Sequence, residues 1–432
     1  MAGARMLSRA SAVRFRSAYI LGMPTNTESA RKILNGLAST QSQREELYKY
    51  FHQHPELSMQ EHSTADRIIQ ELEASGISTN RVGDTGVVAI IENGAGPIVA
   101  MRADIDALPV KETSGKDYAS TATQIDEKTG AEVPVAHACG HDFHLMSLLT
   151  ALQAFNENLD QWSGTFIGIF QPAEETAEGA RAMLAADLEK AIPRPDVYLG
   201  QHVLASLPGG YVGTRRGPVL SSAFSVKVTV YGNGSHGSMP ELSVDPVVLA
   251  STIVMRLQTI VSREVAATET AVVTVGAIQA GTKSNIIPDS AELLINTRAY
   301  NSAVTEHLKE AIERIVRAEC VSARSPQDPE FTYYDRYPLT NNDGDATNTV
   351  REAFDAYFGD EVSDLDAVPA SEDFSIIPDA LGVPYTYWGL GGFADESSAV
   401  GNHNPAFAPD LQPTLDRGAE AIVVAACAWL AK

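Results

Sequence analysis

The sequence predicts an α/β fold, with a mostly parallel sheet covered by helices on both faces, together with an inserted α+β domain. Four short apolar runs are nearly continuous, which is typical of strands buried on both faces. They lie at residues 86–92, 97–103, 165–170 and 196–201. Amphipathic helical patterns at 42–51 and 63–74 and an apolar helical run after residue 140 accompany them. Buried strands interleaved with helices indicate an α/β domain.

A change of pattern near residues 213–221 predicts the insert. Residues 224–231 alternate between apolar and polar side chains, which is typical of a strand with one solvent-exposed face. A helix at 244–260, strands at 271–277 and 291–299, and a helix at 304–319 complete a β-α-β-β-α order. The pattern of the first part resumes after residue 334. We therefore predict a disordered or presequence-like tail at 1–27, a discontinuous domain at 28–217 and 335–432, and an insert at 218–334.

The composition is that of a large globular protein. The chain has 432 residues, of which 44% are hydrophobic and 20% charged, and this length favours two domains. A formal net charge of −23 argues against a nucleic-acid or anionic-membrane surface. No apolar run approaches the roughly 18–20 residues that a membrane span needs. We therefore expect neither nucleic acid nor a membrane as a partner.

The cysteines and the N-terminus bear on location. Cys139, Cys320 and Cys427 are far apart and odd in number, which favours free thiols in a reducing compartment, and hence the cytoplasm. The first 27 residues carry four arginines and no acidic residue, which resembles an organelle presequence. Organelle targeting through residues 1–23 therefore stays open, as does an initiation site at Met6 or Met23.

Polar side chains follow three of the predicted strands directly. Asp104 follows the strand at 97–103, and His202 follows the strand at 196–201. Glu174 and Glu175 follow the strand at 165–170. Because sites in such sheets lie outside the carboxyl ends of the strands, we expect these side chains to lie close together.

Cys139 and His141 lie on a tight glycine turn in front of the apolar helix, so both can point into one pocket. A thiolate with an imidazole favours zinc or a neighbouring transition metal over magnesium or calcium. The pair alone is weak, since Cys-x-His often arises by chance.

Glu174 and Glu175 are the candidates for acid–base and metal chemistry. Neighbouring residues past a strand point in different directions, so one carboxylate can bind metal while the other faces a water molecule. A solvated acidic turn is the alternative. His202 and His403, taken singly, fit hydrogen-bonded core or turn residues better than ligands. With Cys139, His141 and Glu175, however, they form a set that suits two closely spaced metals with a shared bridging ligand.

A series of sequence motifs, in order along residues 40 to 430, resembles the motifs of the metal-dependent amidohydrolases. This family includes hippurate hydrolase, bacterial N-acyl-amino-acid aminoacylases and plant auxin-conjugate hydrolases. Among these, the sequence resembles the actinobacterial aminoacylases most. The motifs are His52-Gln-His-Pro-Glu, Met101-Arg-Ala-Asp-Ile-Asp-Ala-Leu-Pro109, His137-Ala-Cys-Gly-His-Asp142, Gln171-Pro-Ala-Glu-Glu175, Gly234-Ser-His-Gly-Ser-Met-Pro240, Ser284-Asn-Ile-Ile-Pro-Asp289, Ser371-Glu-Asp-Phe374 and Asn402-His403.

The resemblance implies a zinc-peptidase-like catalytic domain and two divalent metal ions per subunit, zinc first, with manganese or cobalt as alternatives. It makes Glu174 the general base and acid, and it places Asp104 near the metals. The ligands that it implies are Cys139, His141, Glu175, His202 and His403.

The resemblance also assigns residues of the insert, which it makes a lid and homodimerisation domain. His236 would reach the partner's active site and steady the oxyanion, while Asn285 and Arg298 would bind the substrate carboxylate. From the residues alone, His236 fits a surface histidine and Arg298 a charge on the sheet surface. Phe143 stands where the family commonly has glycine, and the glycine-rich segment 388–392 is predicted to be a flexible wall of an acyl pocket.

The predicted function is hydrolysis of a small-molecule N-acyl amino acid to a carboxylic acid and a free amino acid. A dipeptidase or carboxypeptidase with the same two-metal chemistry is the alternative enzyme. A metal-binding homologue without turnover is the alternative from another class, although a pure binding site needs no spare carboxylate beside Glu175.

Overall fold

A computed structural model describes residues 26–395, 397 and 399–432. The predicted presequence at 1–23 lies outside these residues. The first part of the chain contains α1 (Thr27–Ile33), α2 (Gln41–Gln53), α3 (His62–Ala74), β1 (Ser78–Val82), β2 (Gly86–Asn93), β3 (Ile98–Asp104), β4 (Thr123–Ile125), β5 (Glu132–Pro134), α4 (His141–Glu157), β6 (Gly164–Gln171), α5 (Gly179–Ala185), α6 (Leu188–Ala191), β7 (Val197–Pro208), β8 (Val212–Thr214) and β9 (Gly217–Leu220).

The rest of the chain continues in the same order. It contains β10 (Ser222–Tyr231), β11 (Ser235–His236), α7 (Pro246–Thr259), β12 (Ala271–Gln279), β13 (Ile286–Ile287), β14 (Ser290–Ala299), α8 (Ser302–Ser322), β15 (Glu330–Tyr337), β16 (Thr340–Asn342), α9 (Gly344–Phe358), β17 (Val362–Asp364), α10 (Ile376–Leu381), β18 (Tyr385–Phe393) and α11 (Leu411–Leu430). Short 3₁₀-helices lie at Leu34–Thr40, Pro240–Leu242 and Gly359–Glu361, and a π-helix lies at Ile260–Glu264.

An eight-stranded sheet with the order β1-β2-β6-β3-β7-β18-β8-β17 forms the centre of the molecule. Its four middle strands, β6, β3, β7 and β18, pair in parallel, and antiparallel pairs lie toward the edges. Alternate residues of β3 pack on opposite faces: Val99 and Met101 join the core of α4 and α11, whereas Ala100 joins the core that includes residues of α5, α6 and α10. The predicted α/β class, with helices on both faces, is confirmed.

The carboxyl end of β7 differs from its prediction. The run at 196–201 was expected to end before His202, but β7 continues to Pro208 because it pairs in parallel with β18 over this whole length. His202 therefore lies within a strand. Segment 388–392 belongs to β18, whose residues are all buried, so the prediction of a flexible loop there is wrong.

A second sheet, with the order β12-β14-β10-β15, is antiparallel throughout, and α7 and α8 pack on one of its faces. Val226, Val228 and Val230 of β10 are buried in this core, which matches the predicted alternation. Strand β15 (Glu330–Tyr337) spans the predicted domain boundary between residues 334 and 335. The division of the chain into a discontinuous domain and an insert stays a prediction. None of the described helices has the length and apolar character needed to cross a membrane.

Candidate active site

The glycine turn before α4 places Cys139 and His141 at the carboxyl edge of the central sheet. Gly140 has φ +86°, a left-handed conformation that favours glycine, and a β-carbon there would lie 2.3 Å from Val203 Cγ1. The helix that follows is buried over almost its whole length, which fixes its first turn. The chain thus presents a thiol and an imidazole from one rigid element.

The candidate ligands come together in overlapping groups. Within each group, the ligand atoms lie within 4.8 Å of one another. One group joins Cys139, Glu175 and His403; a second joins Asp104, His141, His144 and His202; a third joins His141, Glu174 and Glu175. The structure therefore brings together all five sequence-predicted ligand residues with Glu174 and Asp104.

His141 is oriented by its neighbours with one ring nitrogen toward the centre of the groups. Its Nδ1 lies 2.9 Å from the Asp106 carbonyl oxygen and 3.1 Å from Asp106 Oδ1, so this nitrogen donates, and in the neutral imidazole Nε2 carries the lone pair. His141 Nε2 and Glu175 Oε1 are 3.8 Å apart, and both are buried without a hydrogen-bond partner in the described part of the chain. Unpartnered buried acceptors that face each other suit a metal cation between them.

His202 is held in the same manner. Its Nδ1 donates to the Val203 carbonyl oxygen at 2.8 Å, while Nε2 lies 3.5 Å from Cys139 Sγ. Burial and the neighbouring His144 hold the pKa of His202 well below its usual range. The neutral imidazole is the form that binds metal.

His144 is a neighbour that the sequence reasoning missed. Its Nε2 accepts from the Val203 N–H at 2.9 Å, which leaves Nδ1 to donate to Asp104 Oδ1 at 2.5 Å. Both nitrogens are occupied, so His144 orients Asp104 and carries no free lone pair. Its spacing of three residues from His141 on a helix was a usable signal, because such residues share a face.

His403 is the most exposed of the five predicted ligands, with 57% of its side chain accessible. Its Nε2 lies 3.2 Å from Glu175 Oε2, and its backbone N–H donates to Ala138. Cys139 and Glu175 raise the pKa of His403 to about 10. The surroundings are thus anionic, and a bound cation would compete with that proton.

Glu174 is buried and lies with Oε2 3.9 Å from His141 Nε2. Burial, Glu372 and Glu175 raise the pKa of Glu174 well above the usual range, and a carboxyl group with a raised pKa suits general acid–base work. The chain turns sharply just before it, since Ala173 has φ +49°.

Three side chains hold this turn in place. Glu61 Oε1 accepts from the Ala173 N–H at 2.8 Å, and Asp106 Oδ2 accepts from the Glu175 N–H at 3.1 Å. Tyr337 of β15 donates to the carbonyl oxygens of Glu174 and Glu175 at 3.3 and 3.0 Å. The two glutamates are therefore fixed through their backbone.

Arg102 links Asp104 to the segment 372–373. Its guanidinium donates to Asp104 Oδ2 at 2.6 Å, to Glu372 Oε1 at 2.8 Å and to Asp373 Oδ1 at 3.0 Å, and all four side chains are buried. Against the effect of burial, His141, His144 and Arg102 hold the pKa of Asp104 well below its usual range. Asp104 is thus an anion that braces the helix carrying His141.

A cavity of about 250 Å³ opens on these groups. Arg298 lies in its wall and donates to Ser371 Oγ at 2.6 Å. His236 and Asn285 do not line it: His236 is exposed on β11, and the Asn285 carbonyl oxygen accepts from Gly237 beside it. Phe143 does not narrow the cavity, because it is fully buried against Tyr48 with ring centroids 4.4 Å apart.

Residues 100–426 match the family described as Peptidase family M20/M25/M40. An N-acetylcysteine deacetylase of Bacillus subtilis is 34% identical over 377 residues, covering 87% of this chain and 91% of that protein. Thermostable carboxypeptidase 2 of Saccharolobus solfataricus is 33% identical, with 84% and 90% covered. IAA-amino acid hydrolase ILR1-like 2 of Arabidopsis thaliana is also 33% identical, with 82% and 78% covered.

Solved structures agree with this grouping. A protein of methicillin resistant Staphylococcus aureus superimposes with a TM-score of 0.82 at 30% identity, covering 92% of this chain and 99% of that one. A Bacillus subtilis protein, described as a dinuclear metal binding peptidase from the M20 family, gives a TM-score of 0.72 at 28% identity, with 93% and 98% covered. The chain therefore belongs to the peptidase family M20/M25/M40. It is a metal-dependent hydrolase of amide bonds, and its resemblance to the amidohydrolases is confirmed.

Proposed function

We propose that the protein hydrolyses N-acyl amino acids to a carboxylic acid and a free amino acid, with two divalent metal ions per subunit. The observation that carries this proposal is the buried Glu174 beside a group of unpartnered ligand atoms. Two such metals would polarise the amide carbonyl and lower the pKa of water. Zinc is our first choice, because a thiolate and imidazoles are among the ligands, with manganese or cobalt as alternatives. The proposed ligands are Cys139, His141, Glu175, His202 and His403.

The protein's own residues would divide the work as follows. Glu174 takes a proton from the attacking water and later gives it to the leaving amine, a role that suits its raised pKa. Asp104 stays ionised and, with Asp106, orients the imidazoles. Arg298 would bind the substrate carboxylate, because its guanidinium lies in the cavity wall and donates there to an uncharged hydroxyl group, that of Ser371.

The choice of substrate is supported by the names of relatives. An N-acetylcysteine deacetylase and an IAA-amino acid hydrolase both act on acylated amino acids. A carboxypeptidase is similarly related, which keeps peptide cleavage as the alternative. N-acyl amino acids and dipeptides, assayed side by side on the metal-loaded protein, separate the two. A homologue without turnover is disfavoured, because burying Glu174 without a catalytic role is costly.

The proposed organisation follows the predicted ranges. Residues 28–217 and 335–432 would form the catalytic domain, and 218–334 a lid through which two copies form a homodimer. We further propose a cytoplasmic location, in line with three free cysteines, with organelle targeting as the alternative.

Replacing Cys139 by alanine is expected to lower metal occupancy and activity together, since a methyl group cannot replace a thiolate ligand. Metal content by elemental analysis and turnover of an N-acyl amino acid are measured after reconstitution. Cys320→Ala is the matched control: Cys320 is buried in α8, and burial raises the pKa of its thiol to about 11. Full metal occupancy in Cys139→Ala would remove Cys139 from the ligand set.

Co-expression of two inactive variants tests whether His236 acts across a dimer. Glu174→Gln and His236→Ala chains are expected to regain about a quarter of wild-type activity, because half of randomly formed dimers contain one intact site. Glu174→Gln with Cys139→Ala is the control, since both residues belong to one chain's site and no intact site forms. If the first pair gains no more activity than the control pair, His236 does not act in a partner's site.

A further inference from the structure

One wall of the active-site cavity is apolar and lies beside the proposed metal centre. Val219 and Leu220 of β9 are buried there, and Leu365 and Val368 complete the wall. Leu204 lies two residues beyond His202 in β7. None of the steps proposed for catalysis uses these side chains. Together they form an apolar surface that can contact the part of the substrate next to the reacting amide.

A row across three strands leads from the metal centre into this apolar region. His202 of β7 pairs with Gly389 of β18, and Gly389 in turn pairs with Gly213 of β8. Residues in such register lie side by side across a sheet. The two positions next to His202 therefore carry no side chain of their own, and leucine side chains pack over them. The part of the cavity that Gly389 lines together with Leu204 and Leu365 is called the trough below.

Gly389 is the glycine of this row that lines the cavity. A β-carbon at this position would lie 2.8 Å from Leu207 Cδ1, 2.9 Å from Leu204 Cδ1 and 3.4 Å from Leu365 Cδ2. The first two distances are too short for carbon atoms, so these flexible leucine tips would have to move. An added methyl group would therefore push leucine side chains out of their present positions, among them Leu204, which lines the cavity.

We infer that the trough, the part of the cavity beside Gly389, Leu204 and Leu365, holds the acyl group of the substrate, and that it selects unbranched acyl chains of several carbons over acetyl. This inference rests on the proposed function and adds its substrate class. An acetyl group leaves the wall formed by Leu204 and Leu365 unused, whereas a longer chain buries its methylenes against it. Burying apolar surface is favourable by about fourfold in affinity for each methylene. Gly389 is thus a specificity-determining residue.

The test measures kcat/KM of metal-loaded protein on two substrate series. In the first series the amino acid is glycine and the acyl group grows from acetyl to hexanoyl; in the second the acyl group is acetyl and the amino acid grows from glycine to leucine. We expect hexanoyl to exceed acetyl on the order of a hundredfold, from four added methylenes, and we expect the second series to change less. Binding of hexanoate and acetate by calorimetry gives a readout that does not depend on turnover.

Gly389→Ala is expected to lower the hexanoyl-to-acetyl ratio about tenfold or more, the range for one methylene in an apolar pocket. A general structural defect affects both substrates and cancels in this ratio. Gly276→Ala is the matched control, because Gly276 also lies in a strand and the nearest atom to its added β-carbon is 3.9 Å away. Should Gly389→Ala not fold, Leu204→Phe narrows the same trough at a half-buried position and should lower the ratio likewise.

The outcomes separate the two proposals. If acetyl-glycine is cleaved as well as hexanoyl-glycine, or if growth of the amino acid gives the larger gain, the acyl assignment is overturned while the proposed function stands. If no N-acyl amino acid is cleaved, the proposed function fails, and the calorimetric preference for hexanoate over acetate still decides whether the trough binds an alkyl chain.

Discussion

Replacing Glu174 by glutamine is expected to lower kcat about 100- to 10,000-fold, the usual contribution of general acid–base catalysis. Glutamine has nearly the same size and keeps hydrogen-bonding capacity, but it cannot accept and return a proton. Metal content should stay near that of the wild type, because Glu175 and not Glu174 is the proposed ligand. Elemental analysis and steady-state kinetics on the same preparation measure both quantities.

Glu178→Gln is the matched control for this variant. Glu178 lies four residues further along and is exposed, with contacts to Lys128 and Thr176, so the same chemical change there should leave kcat near that of the wild type. Loss of metal in Glu174→Gln would contradict the division of roles between the two glutamates. Retained turnover would contradict the role of Glu174 as general base.

The strands of the central sheet could be predicted wherever burial on both faces left a continuous apolar run. Strands β2, β3 and β6 lie within one or two residues of their predictions. The length of β7 could not be predicted, because its last residues are held by pairing with β18, which lies nearly two hundred residues away in the chain. Local patterns carry no information about such a partner.

The glycine-rich segment 388–392 shows a related limit. Glycines usually indicate a turn or loop, yet here they lie in a buried strand because neighbouring groups approach too closely for side chains. A β-carbon on Gly391 would lie 1.8 Å from the Pro208 carbonyl oxygen. Composition alone cannot distinguish a flexible glycine from one that is required by close packing.

The candidate ligands could be chosen from residue types and their positions near strand ends, and ordered motifs strengthened that choice. The residues that orient these ligands were harder to predict from the sequence. His144 could have been predicted from its helical spacing to His141. The partners of Arg102 could not, since Glu372 and Asp373 are separated from Arg102 by about 270 residues. Buried charge networks depend on tertiary contacts that no local pattern reports.

That network leads to a second large expected effect, on stability. Arg102→Met should lower the free energy of unfolding by about 3–5 kcal/mol, because it leaves Asp104, Glu372 and Asp373 buried without their cation. Chelator-treated protein is used, so that loss of bound metal does not add to the difference. All three tryptophans, at 162, 388 and 429, belong to the core around the central sheet, so urea unfolding followed by tryptophan fluorescence reports on this part of the chain.

Arg351→Met is the control, because Arg351 pairs with Asp355 and Asp364 at the surface. Such exposed pairs contribute about 0–1 kcal/mol. Arg102→Lys should fall between the two variants, since an ammonium group keeps the charge but cannot reproduce the planar fork that reaches three carboxylates. If Arg102→Met unfolds at the same urea concentration as Arg351→Met, those carboxylates do not depend on the guanidinium. The Asp104 carboxylate would then be held by its two remaining neighbours on the helix that follows the glycine turn, the hydrogen-bonded His144 and the nearby His141.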